Sequence, residues 1–177
     1  MSSPAWVFLP VLGGPLAHAP VLRWNLAPAL RHPISRRLFG ENKTWRGALV
    51  MTGGTIAAAR VLHCVPSYRR RLPQPVAQAN PVLVCTLLGV ASWTGELPNS
   101  FVKRRLGIPP GEQRLSPGGV AISVVDQADW VLAAWLLLRP VRRMSPREAV
   151  ESFLIVAAAH LPINLIGYAV GARTSPL

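Results

Sequence analysis

An uncharged apolar stretch constrains the fold of this chain more than any other feature. Residues 76–95 contain no Asp, Glu, Lys or Arg, and Pro81 is the one internal irregularity. A helix that crosses a membrane needs about 20 mostly apolar residues. The stretch therefore predicts a membrane-spanning helix, and the rest of the chain has to be compatible with a membrane-embedded fold.

Further apolar stretches accompany it. They cover residues 3–22, 47–65, 118–138 and 149–171. Together the stretches predict an all-α polytopic membrane protein with about five transmembrane helices. The chain has 177 residues, too few for these spans and a separate soluble catalytic domain. We expect residues 1–177 to form a single domain whose site is built from the spans and their loops.

The charge of the chain is strongly positive. There are 19 Lys and Arg residues against 7 Asp and Glu residues, a balance that in a soluble protein suggests nucleic acid. Half of the residues are hydrophobic, so no soluble basic surface is expected and nucleic acid is excluded as a partner. Loops 23–46 and 98–117 carry most of the cations, and by the positive-inside rule they face the cytoplasm. The predicted location is the cell or inner membrane, with a site that faces the cytoplasm.

The two cysteines do not indicate a disulfide or a metal site. Cys64 and Cys85 each lie within an apolar stretch, and their spacing fits no metal-ligand motif. Both are predicted to be packing residues in the interior.

Two aspartates interrupt the apolar stretch 118–138. Asp126 and Asp129 are three residues apart, so on a helix they project from one face. Two neighbouring carboxylates in a low dielectric favour a divalent cation, which lets both stay ionised. We favour metal ligation because this stretch contains no Lys or Arg. The alternative is that the pair neutralises an Arg elsewhere in the bundle.

A charged segment follows the uncharged stretch. Glu96 closes the stretch, and Lys103, Arg104 and Arg105 follow within ten residues. A positive-inside anchor has the same appearance. An acid at the edge of a membrane, however, could complete a site with the two aspartates.

A second polar segment precedes the stretch 47–65. It contains Asn42, Lys43, Thr44 and Arg46 between glycines, a combination typical of phosphate-binding loops at the start of a helix. It is not a Walker A loop, because the glycine spacing of that motif is absent. Asn164, within the last apolar stretch, is either an interhelical hydrogen-bonding residue or a ligand-binding one.

Taken together, these segments resemble the CDP-archaeol synthase family in their order and spacing. The matching residues are 40–47, 95–96, 100–107, 126–130, and Asn164 with Tyr168 and Gly171. The resemblance implies a five-span membrane enzyme that uses Mg²⁺ to transfer a cytidylyl group from CTP to a membrane lipid phosphate. The acceptor would be an archaeal-type diether glycerol phosphate or a phosphatidate-like lipid, and the products would be CDP-lipid and pyrophosphate.

The resemblance also implies roles for individual residues. The implied catalytic residues are Asp126, Asp129 and Lys103, and the implied Mg²⁺ ligands are Asp126, Asp129 and Glu96. The implied substrate-binding residues are Asn42, Lys43, Thr44, Arg46, Ser100, Arg104, Arg105 and Asn164. Glu96 departs from the aspartate that the family usually has, and Asn99 stands where a small residue is more usual. The expected partners are CTP, the lipid phosphate and bilayer lipids, and homo-oligomer formation stays open.

A non-catalytic function is the alternative. A small membrane scaffold or transporter could use the buried Asp pair as a cation or proton site. The two hypotheses differ in geometry: a transferase requires Lys43, Lys103, Asp126 and Asp129 to converge on one pocket at the membrane face. A transporter would instead place the acids along a path through the bilayer.

Overall fold

The computed structural model describes residues 5–109 and 129–169, and regular structure within these ranges is helical. The helices are α1 (Ala5–Phe8), α2 (Gly13–Arg23), α3 (Arg36–Phe39), α4 (Trp45–His63), α5 (Pro66–Arg69), α6 (Gln74–Gln78), α7 (Pro81–Thr94), α8 (Glu96–Arg105), α9 (Asp129–Leu137) and α10 (Pro146–Ala169), with 3-10 turns at Leu9–Leu12 and Pro28–Leu30. An isolated bridge pairs Pro33 with Thr44. The predicted all-α class is confirmed.

The helices follow the apolar stretches to different degrees. Helices α4, α7 and α10 lie within or close to the predicted bounds, whereas the stretch 3–22 is divided among α1, a 3-10 turn and α2. Its repeated prolines lack the N–H that a continuous helix needs. In the described ranges, no helix combines the length and the apolarity required to cross a membrane. The prediction of five spans is therefore not confirmed.

Side-chain caps fix where the long central helices begin. Thr44 Oγ1 accepts a hydrogen bond from the Gly47 N–H at the start of α4. Asn80 Oδ1 accepts from the Val82 N–H at the start of α7, and Pro81 occupies the first position of that helix. Because proline is favoured at this position and disfavours helix in the residue before it, α7 starts at Pro81 although the uncharged stretch begins earlier.

Small residues allow α2 and α7 to pack closely on opposite parts of α4. A Cβ atom added at Gly13 of α2 would lie 3.0 Å from the Gly54 carbonyl carbon, and one at Gly54 would lie 2.8 Å from Ala17 Cβ. A Cβ at Gly89 of α7 would lie 2.9 Å from Thr52 Cα. A side chain at these glycines would force the helices apart, so the glycines set the distances between α2, α4 and α7.

A single apolar core joins the N-terminal segment to α7 and α9. Its fully buried members are Val7, Phe8, Val11, Tyr68, Leu72, Val76, Val84, Leu88, Ala91, Trp130, Val131, Ala134, Leu138 and Met144. The Phe8 and Trp130 rings meet edge to face, with centroids 5.6 Å apart. The core holds the first turn of α9 against the bundle, which positions the residues described below.

The cysteine prediction is correct for one residue and wrong for the other. Cys85 is buried on α7, whereas Cys64 is exposed. Cys64 directly follows the last residue of α4, and its Sγ lies 3.4 Å from the Arg60 carbonyl oxygen. The position at a helix end, which apolar composition does not reveal, decides its exposure.

Candidate active site

Three of the predicted site residues, Lys43, Glu96 and Asp129, lie near the place where α4 and α9 begin and α8 follows α7. Lys43, directly before the capping residue of α4, donates a hydrogen bond from Nζ to Oε2 of Glu96, the first residue of α8. Both side chains are largely buried, with exposures of 26% and 33%. This ion pair joins two segments that are 53 residues apart in the sequence, as the prediction of one shared site requires.

Gly95 brings α9 to the same place. A Cβ atom at Gly95 would lie 2.8 Å from Trp130 N and 3.0 Å from Trp130 Cβ, so only glycine permits this approach. Glu96 follows Gly95 and Asp129 precedes Trp130 in the chain, so both acids lie next to this close contact. Asp129 is 6% exposed, and a carboxylate removed from water requires cations or hydrogen-bond donors around it. Asp126 lies outside the described residues.

The prediction of a loop from residue 98 is wrong for its first part, because Glu96–Arg105 forms helix α8. The charged residues of this helix lie on different faces. Glu96, Ser100 and Lys103 follow the i, i+4, i+7 pattern and therefore share one face, and Ser100 is buried. Arg105 lies about 180° around the helix from Glu96. It is exposed, with Cζ 4.9 Å from the centroid of the Phe101 ring. The structure thus brings Ser100 and Lys103 to the side of Glu96 and leaves Arg105 on the other side.

Arg104 has an intermediate position on the same helix. Its side chain is half-buried, and its Nε and Nη1 atoms are inaccessible to solvent with no hydrogen-bond partner within residues 5–109 and 129–169. Buried guanidinium donors that lack an acceptor are costly. An anionic ligand would supply the acceptor that these donors need.

Arg46 contacts the loop after α2. It is 4% exposed, and its Nη1 donates to Asn25 Oδ1 at 2.8 Å and to the Leu26 carbonyl oxygen at 2.9 Å. This loop contains two residues with positive φ, Asn25 at 45° and Ala27 at 49°, a conformation that is strained for alanine. Arg46 therefore stabilises the loop against the start of α4, and a direct contact with phosphate stays a prediction.

The first turn of α4 is already capped within the protein. The Trp45 N–H donates to the His32 carbonyl oxygen at 3.0 Å, and the Thr44 hydroxyl accepts from the Gly47 N–H at 3.2 Å. The Ile34 N–H donates to the Lys43 carbonyl oxygen at 2.8 Å, which fixes the backbone of Lys43. The backbone N–H groups of Trp45 and Gly47 are therefore already bonded within the protein, and any phosphate bound here would depend more on side chains. Asn42, beside Lys43, is exposed.

His18 is a member of this cluster that sequence analysis missed. It lies on α2, and its Nε2 would be 3.6 Å from a Cβ atom at Gly47. The charges of Glu96, Arg46 and Lys43 all act on its ring. The sequence signal for His18 was its isolation as a polar residue within an apolar stretch. The structure adds that Gly13 and Ala17 of the same helix pack against α4.

The described acids are oxygen donors of the kind that Mg²⁺ binds. Within the described ranges, no group of three His, Cys, Asp or Glu side chains could hold a metal ion. Mg²⁺ usually binds one or two protein carboxylates together with substrate phosphates. Glu96 and Asp129, which flank one close backbone contact, match that oxygen-donor chemistry. The backbone of Asn164 belongs to α10, but its side chain lies outside the described residues.

The sequence of the chain matches a known protein family. The family model described as CDP-archaeol synthase, CarS-like, matches residues 32–176. The chain belongs to the CDP-archaeol synthase family. It is therefore an enzyme, a cytidylyltransferase of lipid biosynthesis, and the non-catalytic scaffold or transporter is no longer needed as an alternative.

Archaeal relatives of this CDP-archaeol synthase family member cover most of the chain. The CDP-archaeol synthase of Halobacterium salinarum is 32% identical over 150 residues, which are 80% of this chain and 77% of the relative. That of Thermococcus gammatolerans is 26% identical over 181 residues, covering 99% of this chain and 98% of the relative. That of Pyrococcus furiosus is 28% identical over 142 residues, covering 80% and 76%. No solved structure matches the chain.

Proposed function

We propose that this enzyme transfers the cytidylyl group of CTP to a lipid phosphate in a membrane, with Mg²⁺, and releases pyrophosphate. The observation that carries the proposal is the contact between Lys43 and Glu96 next to the junction of Gly95 with Trp130. Three segments that are distant in sequence thereby place cations and acids in one region. Such a region suits a reaction between two highly charged phosphate groups.

The reaction requires positioning and charge neutralisation. An oxygen of the lipid phosphate attacks the α-phosphorus of CTP, a new P–O bond forms, and the bond to the pyrophosphate leaving group breaks. Protein groups accelerate such transfers mainly by alignment and by stabilising the charge that develops on phosphate oxygens. Lys43, Lys103 and Arg104 are the cations proposed for this work. Mg²⁺, when held by Asp126, Asp129 and Glu96, would neutralise phosphate charge and orient the triphosphate.

The ion pair between Lys43 and Glu96 gives the free enzyme a defined starting state. Each side chain neutralises the other in a largely buried environment, which lowers the cost of keeping both charged before substrate binds. A CTP phosphate would replace Glu96 as the partner of Lys43. The Glu96 carboxylate would then be available to the cation that accompanies the nucleotide.

The proposed acceptor is an archaeal-type diether glycerol phosphate. Support comes from the relatives named CDP-archaeol synthase, which cover up to 99% of the chain. Phosphatidate is chemically close at the phosphate and differs in the linkage and stereochemistry of its tails. A direct comparison of the two acceptors therefore tests this part of the proposal.

The proposed location is the membrane, with the site at the cytoplasmic face. Leu49 and Val61 on α4, Leu132 and Leu136 on α9, and Leu154 on α10 are all exposed. Large apolar side chains on the outer faces of several helices are typical of surfaces that contact lipid or another apolar partner. A lipid acceptor with two long tails would reach the site along such apolar surfaces, without leaving the bilayer.

The test is cytidylyl transfer by the purified full-length protein in detergent. CTP labelled in the cytidine and α-phosphate is incubated with a diether glycerol phosphate or with phosphatidate, with and without Mg²⁺. We expect labelled CDP-lipid that depends on Mg²⁺, with the diether acceptor preferred. Asp129→Asn should abolish transfer, and Lys103→Ala should mainly raise the KM for CTP.

A matched control comes from a distant acid. Glu151 on α10 pairs with Arg147 at an exposed position, so Glu151→Gln should leave transfer unchanged. Folded protein that makes no CDP-lipid from either acceptor contradicts the proposal. Full turnover by Asp129→Asn would remove Asp129 from the site, and an unchanged CTP response in Lys103→Ala would remove Lys103.

A further inference from the structure

His18 lies outside the part of the chain that the family model covers. The match begins at residue 32, whereas His18 belongs to α2, Gly13–Arg23. The family-model match therefore does not include His18. The fold nevertheless brings it to the start of α4, beside residues that the proposed function uses.

Close helix packing fixes the position of His18. The contact of Gly13 and Ala17 with Gly54 sets α2 directly against α4, and α2 continues from there toward the start of α4. His18 Nε2 and Cε1 would lie 3.6 and 3.8 Å from a Cβ atom at Gly47. The imidazole edge therefore lies next to the first turn of α4, at ordinary contact distance.

The electrostatic surroundings of His18 are those of the candidate site. Glu96, Arg46 and Lys43 are the charged groups that act on its ring. They come from α8 and from the start of α4, and α2, which carries His18, is a further segment beside them. An imidazole on an apolar helix needs a polar partner when it is partly buried, and the ring of His18 lies beside this charged cluster.

We propose that His18 binds the nucleotide, donating a hydrogen bond from Nε2–H to a phosphate oxygen of CTP that Lys43 also contacts. The identity of the nucleotide rests on the proposed function. A ring N–H suits phosphate because it remains a donor when the second nitrogen carries no proton. Mg²⁺ prefers oxygen ligands, so a hydrogen bond to phosphate fits His18 better than metal ligation does.

The test compares two substitutions by direct CTP binding and by steady-state kinetics. His18→Phe keeps a ring and removes both nitrogens, whereas His18→Gln keeps an N–H close to the position of Nε2. A hydrogen bond to a charged group is worth about one to two powers of ten in affinity. We therefore expect His18→Phe to raise the Kd and KM for CTP about tenfold or more, with the KM for the lipid phosphate unchanged. His18→Gln should recover most of the CTP affinity.

His63 supplies a matched control. It lies at the last position of α4, half-buried, with Nδ1 3.1 Å from the Ala59 carbonyl oxygen. His63→Phe and His63→Gln should leave CTP binding unchanged. Thermal unfolding of every variant separates loss of binding from loss of fold.

Each contrary result has a distinct meaning. A folded His18→Phe whose Kd for CTP stays within about twofold of wild type overturns the inference, since a lost charged hydrogen bond costs more. Equal losses in His18→Phe and His18→Gln, with both substrates affected and a lowered Tm, overturn it in favour of a structural role. If His18→Phe does not fold, an unchanged Kd in His18→Gln with loss of CTP binding in His18→Ala supports it, and an unchanged Kd in both overturns it. Wild-type protein that binds no CTP contradicts the proposed function itself.

Discussion

Replacing Gly95 with alanine tests how the site is assembled. Gly95 has helical torsion angles, φ −59° and ψ −33°, so the backbone itself accepts alanine. The obstacle is Trp130, whose backbone nitrogen would lie 2.8 Å from the new Cβ, with its Cα closer still. Ordinary contact begins near 3.4 Å. Because backbone atoms cannot rotate away, the start of α8 and the start of α9 have to separate.

The overlap at Trp130 sets the expected loss of activity and of stability. A displacement of catalytic groups by about 1 Å lowers the reaction rate by about a hundredfold. Overpacking of this kind costs about 1–3 kcal/mol of stability, and the higher helix propensity of alanine returns up to about 1 kcal/mol. We expect Gly95→Ala to fold with a stability loss of about 1–2 kcal/mol and to lose transfer activity far out of proportion to that loss.

The assay pairs cytidylyl transfer with thermal unfolding of the same preparation. Gly53 is the control, because it lies inside α4 and a Cβ there would meet no atom within 4 Å. Gly53→Ala should keep full activity and gain up to about 1 kcal/mol from helix propensity. Wild-type turnover by Gly95→Ala would refute the argument that this contact holds Glu96 and Asp129 in register.

Two further predictions concern regions away from the site. The Ser145 N–H donates to Glu148 at 2.8 Å and, together with Arg142, lowers the pKa of Glu148. Such a carboxylate stabilises the fold above its unfolded pKa, and the contribution is lost as pH falls through the folded pKa. Glu148→Gln should therefore destabilise the protein at pH 7 and make progressively less difference below about pH 4; a pH-independent difference in unfolding midpoint would contradict this. Cys64 follows the end of α4 opposite the site and is exposed, about 28 Å away along the helix. If the proposed membrane separates the two ends of α4 and the site faces the cytoplasm, a membrane-impermeant maleimide should label wild type but not Cys64→Ser in right-side-out vesicles. Labelling confined to inside-out vesicles would place the site on the outer face, and labelling at both orientations would contradict the assumption that α4 separates the two sides.

Much of the local structure was predictable because it depends on neighbours in the sequence. Apolar stretches identified the positions of α4, α7 and α10. The segment from residue 98 was predicted as a loop, whereas Glu96–Arg105 forms α8, and only this helix places Glu96, Ser100 and Lys103 on one face. The bounds were less predictable. Repeated prolines divide the first apolar stretch, and Asn80 with Pro81 delays the start of α7.

Some of the candidate site residues were likewise predictable from the sequence, and others were not. The motif pattern pointed to Lys43, Glu96 and Asp129, and the structure places all three around one junction. The same pattern suggested phosphate contacts for Arg46. Its Nη1 donates to Asn25 in the loop after α2, a role that the pattern did not indicate, and the phosphate contact stays a prediction. His18 carries no motif, so its position in the cluster was not foreseen.

The sequence alone determined the helical class and the residue types of the site, because these depend on composition and helical periodicity. The face that each site residue occupies on α8 came from the structure. Tertiary structure decided which of those faces meet. Gly95 against Trp130 and Gly13 against Gly54 are contacts between segments far apart in the chain, and they require glycine only because another backbone arrives there. The physical reason is that close packing depends on two surfaces together. The residues of one surface do not identify the segment that packs against it.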